Sequence, residues 1–500
     1  MTTDRVAIRA CATLLTLTLT LAAAPASLRA QSSIPQGEFA ARRDSLAARI
    51  DSGVVVAFGG RTPVTDFGPF FQLPAFHYLT NYDEPDGAFV MVVRAKRPVS
   101  TLFIMPVDPR RAFYYGFRPD SATLASTLAL TARPFDALTP VLDSLARTGL
   151  PFYTLADFGD ADFARQDSLT RGQLYMRDFA ARHAGLQVRD AHPIVDQLRA
   201  RKSAAELALL RRAAQISSEG HRAVLLSVLR SEPRHEYEFQ STLESTFTRL
   251  GGERVAYGSI VGAGVNGTQL HYMRDRGPAN PGDVVVMDAA TQYDGYAADV
   301  TRTVPVSGTF TPEQRRIYQL VRDAQAAAER NVGVGKSAAA AQDSSVVVRA
   351  RGLTALGLIE SDTALLDPPW KADCARTPAA CRQSMLWMIH GISHGLGLAV
   401  HDPTQFYTGD RTYQVGDVFT IEPGLYISTR SLDALPDTPR NRAFIAKVRP
   451  AVLRYDNTGV RIEDDYAITP AGVEQLSTAP REIDEIERVI REGAPSTVKH

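Results

Sequence analysis

Cysteine is scarce in this chain, at 3 in 500 residues, and Cys374 and Cys381 have no further cysteine or histidine at metal-ligand spacing. That argues against a structural thiolate zinc site. An excess of one charge is also missing: 55 Lys+Arg balance 55 Asp+Glu. Nothing electrostatic therefore favours nucleic acid or an anionic membrane as partner. The apolar run Ala12–Ala24 is too short to span a bilayer as a mature helix. A phosphate loop is absent, because Arg330 stands where the glycine ahead of Gly335-Lys336-Ser337 is required. A zinc-protease helix is absent too, since His390-Gly391-Ile392-Ser393-His394 has Gly391 where H-E-x-x-H needs its glutamate.

Acids in strand-like settings are what the chain does have. Val284–Asp288 reads as a buried strand after the turn Pro281-Gly282-Asp283, and a second strand is expected from about Tyr296 to Val306. Asp294-Gly295 between them is a strong hairpin dipeptide. With that turn Asp288 faces Thr301, Asp299 is its diagonal neighbour, and both carboxylates share one face. Gly416–Glu422 repeats the form of Gly282–Asp288: a Gly-Asp turn, an apolar strand, and an acid at the same offset. Glu463, in Gly459–Asp465, then answers Asp299. We read this as an internal duplication in which each half gives two carboxylates to a shared centre. His394 adds an imidazole from a histidine cluster whose glycines suit a chain bending closely round a site. Four carboxylates and one imidazole suit a pair of divalent cations, which activate a shared water for hydrolysis.

The segments MDAATQYDGYAADVTRT, HGISHGLGLAVHD, FTIEPGLYI and GVRIEDDYAIT resemble the metal-binding signatures of the pita-bread metallopeptidases. The match is closest to aminopeptidase P (Xaa-Pro aminopeptidase), with prolidase next. FHYLTNYDEPDGAFVMV similarly resembles that family's amino-terminal domain. The resemblance implies an α+β architecture: an amino-terminal α/β, ribonuclease H-like domain, then a pita-bread catalytic domain with pseudo-twofold duplication. It implies that Asp288 binds one metal, that Asp299 and Glu463 bridge both, and that His394 and Glu422 complete the other. Glu422 would also carry a proton, while His390 and His401 act on the peptide and its tetrahedral intermediate. His271 and Arg461 are implied on the substrate side. Met273-Arg274-Asp275 departs from the Thr-Glu-Asn that often follows the first histidine motif.

The activity implied is hydrolysis of the bond between an amino-terminal residue and a following proline. A dipeptide-restricted prolidase is the alternative, and a non-catalytic peptide-binding module the distant one. Oxygen-rich donors favour Mn²⁺, with Zn²⁺ or Co²⁺ possible. Proline-containing peptides are the expected partners, and the family makes a homo-oligomer the default.

Arg5 and Arg9 ahead of the apolar run, with small-residue cleavage sites after Ala26 or Ala30, read as a Sec-type signal peptide. Export to the periplasm or medium is expected, with no stable membrane insertion after cleavage. In that setting Cys374 and Cys381 suggest a disulfide. The expected divisions are a signal peptide over 1–30, an amino-terminal domain over 35–195, a catalytic domain over 203–480, and a charged helix and tail over 481–500. Capping sequences at Ser203–Glu206 and Thr311–Gln314 predict two long helices over the catalytic sheet. Ser428–Asn457, longer than its counterpart in the first half, is expected to form a flap at the site rim.

Overall fold

The computed structural model describes residues 34–63, 68–106, 108–116, 118–155, 171–229, 234–408 and 411–494. The expected signal peptide lies outside the described residues. Among those that are described, no helix is long and apolar enough to cross a membrane.

The amino-terminal half is built on one mixed sheet. Its strands run in the order Thr131–Pro134, Arg97–Ile104, Ala88–Arg94, Gly53–Phe58, Phe152–Thr154, Val188–Asp190. Ala88–Arg94 pairs antiparallel with both neighbours, and the outer pairings are parallel. Gly53–Phe58 is buried throughout because its alternate side chains meet different layers. Val54, Val56 and Phe58 pack with Leu138, Leu142 and Phe179. Val55 and Ala57 face the other way, among Phe39, Leu46 and Leu79. That second layer runs on into Leu209, Leu210, Tyr296, Leu396 and Val418 of the later half. A shared apolar core thus seats the first sheet against the elements that carry the candidate ligands.

In the later half, Val284–Asp288 lies between Thr301–Pro305 and Ile260–Ala263, antiparallel to both. Asp288 pairs with Thr301, as the hairpin dipeptide predicts. Asp294 and Gly295 adopt φ of 47° and 83°, the left-handed pair that a two-residue hairpin turn requires. Val418–Ile421 pairs antiparallel with Asp464–Thr469, and Gly424–Ile427 with Thr458–Arg461. Helix Ala204–Leu225 opens on a capping box of Ser203 and Glu206, and helix Pro312–Glu329 on one of Thr311 and Gln314. Their Ile216, Val224, Ile317 and Val321 bury against Val285, Met287 and Val304 of the sheet.

Two expectations need correction. The second strand is not continuous from Tyr296 to Val306: it stops after Ala297 and resumes at Thr301. Asp299 sits in the gap, where its N–H turns from the ladder to the Asp465 carboxylate at 3.2 Å. The second half breaks in the same place, with Glu422 and Glu463 falling between paired strands. Ser428–Asn457 is not a rim flap either. It forms helices Thr429–Asp433 and Pro439–Arg454, whose Leu432, Phe444, Val448 and Val452 are buried in the same core as Val285. A flap would leave that apolar area in water. After the last strand, helix Ile483–Gly493 packs Ile486, Val489 and Ile490 onto this core and leaves its charged face outside.

Candidate active site

The breaks in the two strand pairs face one another, and an isolated bridge between Thr301 and Glu463 joins the halves there. The resulting cavity, ≈ 530 Å³, is lined by Asp288, Asp299, His394, Glu422 and Glu463 together with His271, His390, His401 and Arg461. Every candidate metal, catalytic and substrate-side residue read from the sequence therefore lines one cavity. His394 Nε2 lies 3.3 Å from Asp299 Oδ2, 3.6 Å from Glu422 Oε1 and 3.8 Å from Glu463 Oε1. Donor atoms of Asp299, His394 and Glu463 fall within 4.8 Å of one another. Asp288 stands to one side, where Arg461 Nη2 donates to its Oδ2 at 2.6 Å.

Segment 389–402 contains no helix, as its glycines lead one to expect. Its path is fixed by backbone pairing instead: Thr420 N donates to His394 O and Glu422 N to Ile392 O, at 2.9 and 2.8 Å. His394 and Glu422 are set side by side in this way.

The charges do not balance. Asp288, Asp299 and Glu463 are buried, and the Glu422 side chain is 15 % exposed. Burial and then the Asp288 charge push Asp299 well above the usual carboxylate range. Burial and then Asp299 do the same to Glu463. Burial and the Glu463 charge push Glu422 up to about 8. Burial acts on Asp288 too, but Arg461 and Tyr257 outweigh it and hold that carboxyl below its ordinary value. Among the described residues lining the cavity, Arg461 is the one permanent cation. Four carboxylates gathered on one guanidinium are stable as anions only with further positive charge. The donor set, oxygen-rich with a single imidazole, fits divalent cations.

Two more histidines of the cavity, His390 and His401, are held toward the neutral form. Burial and Arg461 push His390 down to about 3, and burial and His394 push His401 down to about 4. A neutral imidazole can donate from one nitrogen and accept at the other. His390 Nε2 is 3.0 Å from Tyr426 Oη, and Arg461 Nη1 donates to that same oxygen at 2.7 Å. A polar chain thus runs from Asp288 through Arg461 and Tyr426 to His390.

Three residues of the site had no role in the sequence reading. Tyr257 places its hydroxyl within hydrogen-bond distance of both Asp288 and Asp299. Burial, then the two aspartate charges, push its pKa well above 10 and keep it a donor. No periodicity marks this loop residue. Tyr426 could have been found, since Glu422, Gly424 and Tyr426 alternate along one strand path. Thr301 was placed opposite Asp288, yet its hydroxyl serves Glu463 at 2.6 Å. Elsewhere in the catalytic half, Cys374 and Cys381 form the expected disulfide, with Cα atoms 5.6 Å apart.

Comparison with known proteins identifies the family. Residues 208–470 match the family described as Metallopeptidase family M24, and residues 39–150 match Aminopeptidase P, N-terminal domain. The Xaa-Pro aminopeptidase of Haemophilus influenzae is 31 % identical over 426 residues, covering 84 % of this chain and 89 % of that protein. The Xaa-Pro aminopeptidase of Escherichia coli K12 is 30 % identical over 466 residues, covering 91 % and 98 %. Among solved structures, proline aminopeptidase P II from Yersinia pestis superposes with a TM-score of 0.74 at 30 % identity, covering 92 % of this chain and 100 % of that one. Zn-substituted E. coli aminopeptidase P in complex with product gives 0.74 at 28 % identity, covering 93 % and 100 %. The chain belongs to metallopeptidase family M24, with a domain of the aminopeptidase P amino-terminal type ahead of its catalytic half.

Proposed function

We propose that this protein is an exported Xaa-Pro aminopeptidase that works with two divalent metal ions. The observation that carries the reading is the convergence of four carboxylates and His394, drawn from both half-domains, in a cavity that also holds His271, His390, His401 and Arg461. Asp288, Asp299, His394, Glu422 and Glu463 would hold the ions, with Mn²⁺ the first choice for so oxygen-rich a set. When bound, such ions supply Lewis acidity and make water acidic near neutral pH.

The chain's own residues do the rest. Arg461 fixes Asp288 and, through Tyr426, orients His390. His401, neutral, offers an N–H group to the oxyanion that develops on the attacked carbonyl. His390, whose Nδ1 donates to Gly391 O at 2.7 Å and whose Nε2 accepts from Tyr426 Oη, faces the peptide from the cavity wall. Glu422 moves a proton to the proline nitrogen, which leaves as a secondary amine and needs one. The bond attacked is a tertiary amide on a rigid ring, which explains the need for a dedicated site. Export is supported by the amino-terminal sequence and by the disulfide, which persists in oxidising compartments. A homo-oligomer is part of the proposal.

The deciding experiment uses mature protein reloaded with Mn²⁺ and offered Xaa-Pro beside Xaa-Pro-Yaa. Cleavage of the tripeptide before proline is expected. Activity on the dipeptide alone would make the protein a prolidase, and silence on both, with metal bound, would overturn the enzymatic reading. A mature amino terminus just after Ala26 or Ala30 checks export.

A further inference from the structure

The segment joining the two halves reaches into the loop that carries the site histidines. Asp402, next to His401, is buried, yet it accepts from two cations of that segment. Arg199 Nη2 bonds its Oδ1, and Lys202 Nζ donates to Oδ2 at 2.9 Å. Both cations are buried as well. Lys202 is pinned further: its Nζ donates to Pro403 O and its backbone N–H to Gly416 O, each at 2.9 Å. Arg199 is the last residue of helix His192–Arg199, which packs on the amino-terminal sheet through Val195.

Asp402 also closes its own loop. Its Oδ1 accepts from Ala399 N at 3.1 Å, and its N–H goes to Gly395 O at 2.8 Å. Side chains at Gly395 or Gly397 would run into Asp402, so the loop is pressed against it. His394 precedes the closed stretch and His401 stands at its far end, with ring centroids 4.1 Å apart. Among the described residues, none holds the His401 ring by a hydrogen bond. Its placement therefore depends on the anchor beside it.

We infer that Arg199, Lys202 and Asp402 are positioning residues that set His401 in the active site from the amino-terminal side. The inference rests on the peptidase reading above. A rigid anchor of this kind matters because displacing a group by about 1 Å can cost on the order of 100-fold in rate.

The test is a double-mutant cycle on Xaa-Pro-Yaa hydrolysis, with Asp402→Asn, His401→Ala and the pair. Asp402→Asn is expected to lower kcat about 10-fold to 100-fold, with KM changed by less than about threefold. Combined with His401→Ala it should add little, because both act through one imidazole. Arg199→Lys should retain more kcat than Arg199→Met. If Asp402→Asn fails to fold, Lys202→Met, which leaves Asp402 paired with Arg199, carries the same cycle. Full kcat in the folded variants, or losses that multiply with that of His401→Ala, would overturn the inference. Lack of Xaa-Pro cleavage by the unaltered protein counts instead against the peptidase reading. In that case a crystal structure of Lys202→Met decides, and an unmoved His401 ring would sink the anchor.

Discussion

Thr301 Oγ1 donates to Glu463 Oε2 at 2.6 Å and stands 3.2 Å from Arg461 Nε, so a hydroxyl of the first half-domain aims a carboxylate of the second. Valine has the same shape and lacks the donor. Thr301→Val should leave the fold intact while weakening metal affinity or activity about 10-fold to 100-fold, the usual effect of losing a ligand's supporting bond. Thr301→Ser should keep most of both. Metal titration followed by peptide hydrolysis measures it, and a valine variant equal to the parent would remove Thr301 from the site.

Asp299 pulls in opposite directions with and without metal. Its carboxyl is raised by burial and by Asp288, so the metal-free fold carries a repulsion that Asp299→Asn relieves. The metal-free variant should melt a few degrees above the metal-free parent, a gain of roughly 1–3 kcal/mol. Mn²⁺, proposed to bind the folded parent and so to stabilise it, should no longer do so in the variant, and hydrolysis should fall to background. Paired thermal melts with and without Mn²⁺ read both signs at once.

Asp275 gives a pH dependence away from the ligands. Burial, with the charges of Glu236 and Glu244 behind it, pushes this carboxyl up to about 6 although Val261 N donates to it at 2.9 Å. A raised carboxyl binds its proton more tightly when folded. Its contribution to stability is therefore present below the ordinary aspartate pKa and lost as pH rises through about 6. Asp275→Asn should match the parent near pH 4 and exceed it by about 1–2 kcal/mol at pH 8. Urea midpoints at the two pH values test this; a gain of equal size at both would refute it.

Arg349 is a buried guanidinium, 5 % exposed, whose Nε has no hydrogen-bond partner. Burial pushes it down to about 10, so it remains charged at neutral pH. Among the described residues no carboxylate acts on it, and Tyr426 alone tends to raise its pKa. Arg349→Met fills similar space without the charge and should stabilise the protein by about 1–3 kcal/mol. A lower urea midpoint for the variant would show that the charge has a partner after all.

The convergence of the candidate ligands was legible because it rests on local rules. Asp294-Gly295 fixes a two-residue turn, and the turn fixes which residue faces Asp288. The capping boxes at Ser203 and Thr311 were readable for the same reason. What escaped depends on contacts distant in sequence. At the strand break Asp299 N–H bonds Asp465, 166 residues away, and Tyr257 is brought to Asp288 from a loop without pattern. Ser428–Asn457 was misplaced because length alone does not distinguish a flap from a buried helical insertion. Phe444, Val448 and Val452, each four residues from the next, could have decided the matter at helical spacing.

Each half-domain contributes two of the four carboxylates, and the bridge between Thr301 and Glu463 forms only when the halves meet. A growing chain that has not yet delivered Glu463 has no complete site, however well its first hairpin has formed. Loading with metal is consequently among the last events in this protein's maturation. On the proposed reading of an exported metal enzyme, the ions it takes up would be those of the compartment where the chain finishes folding.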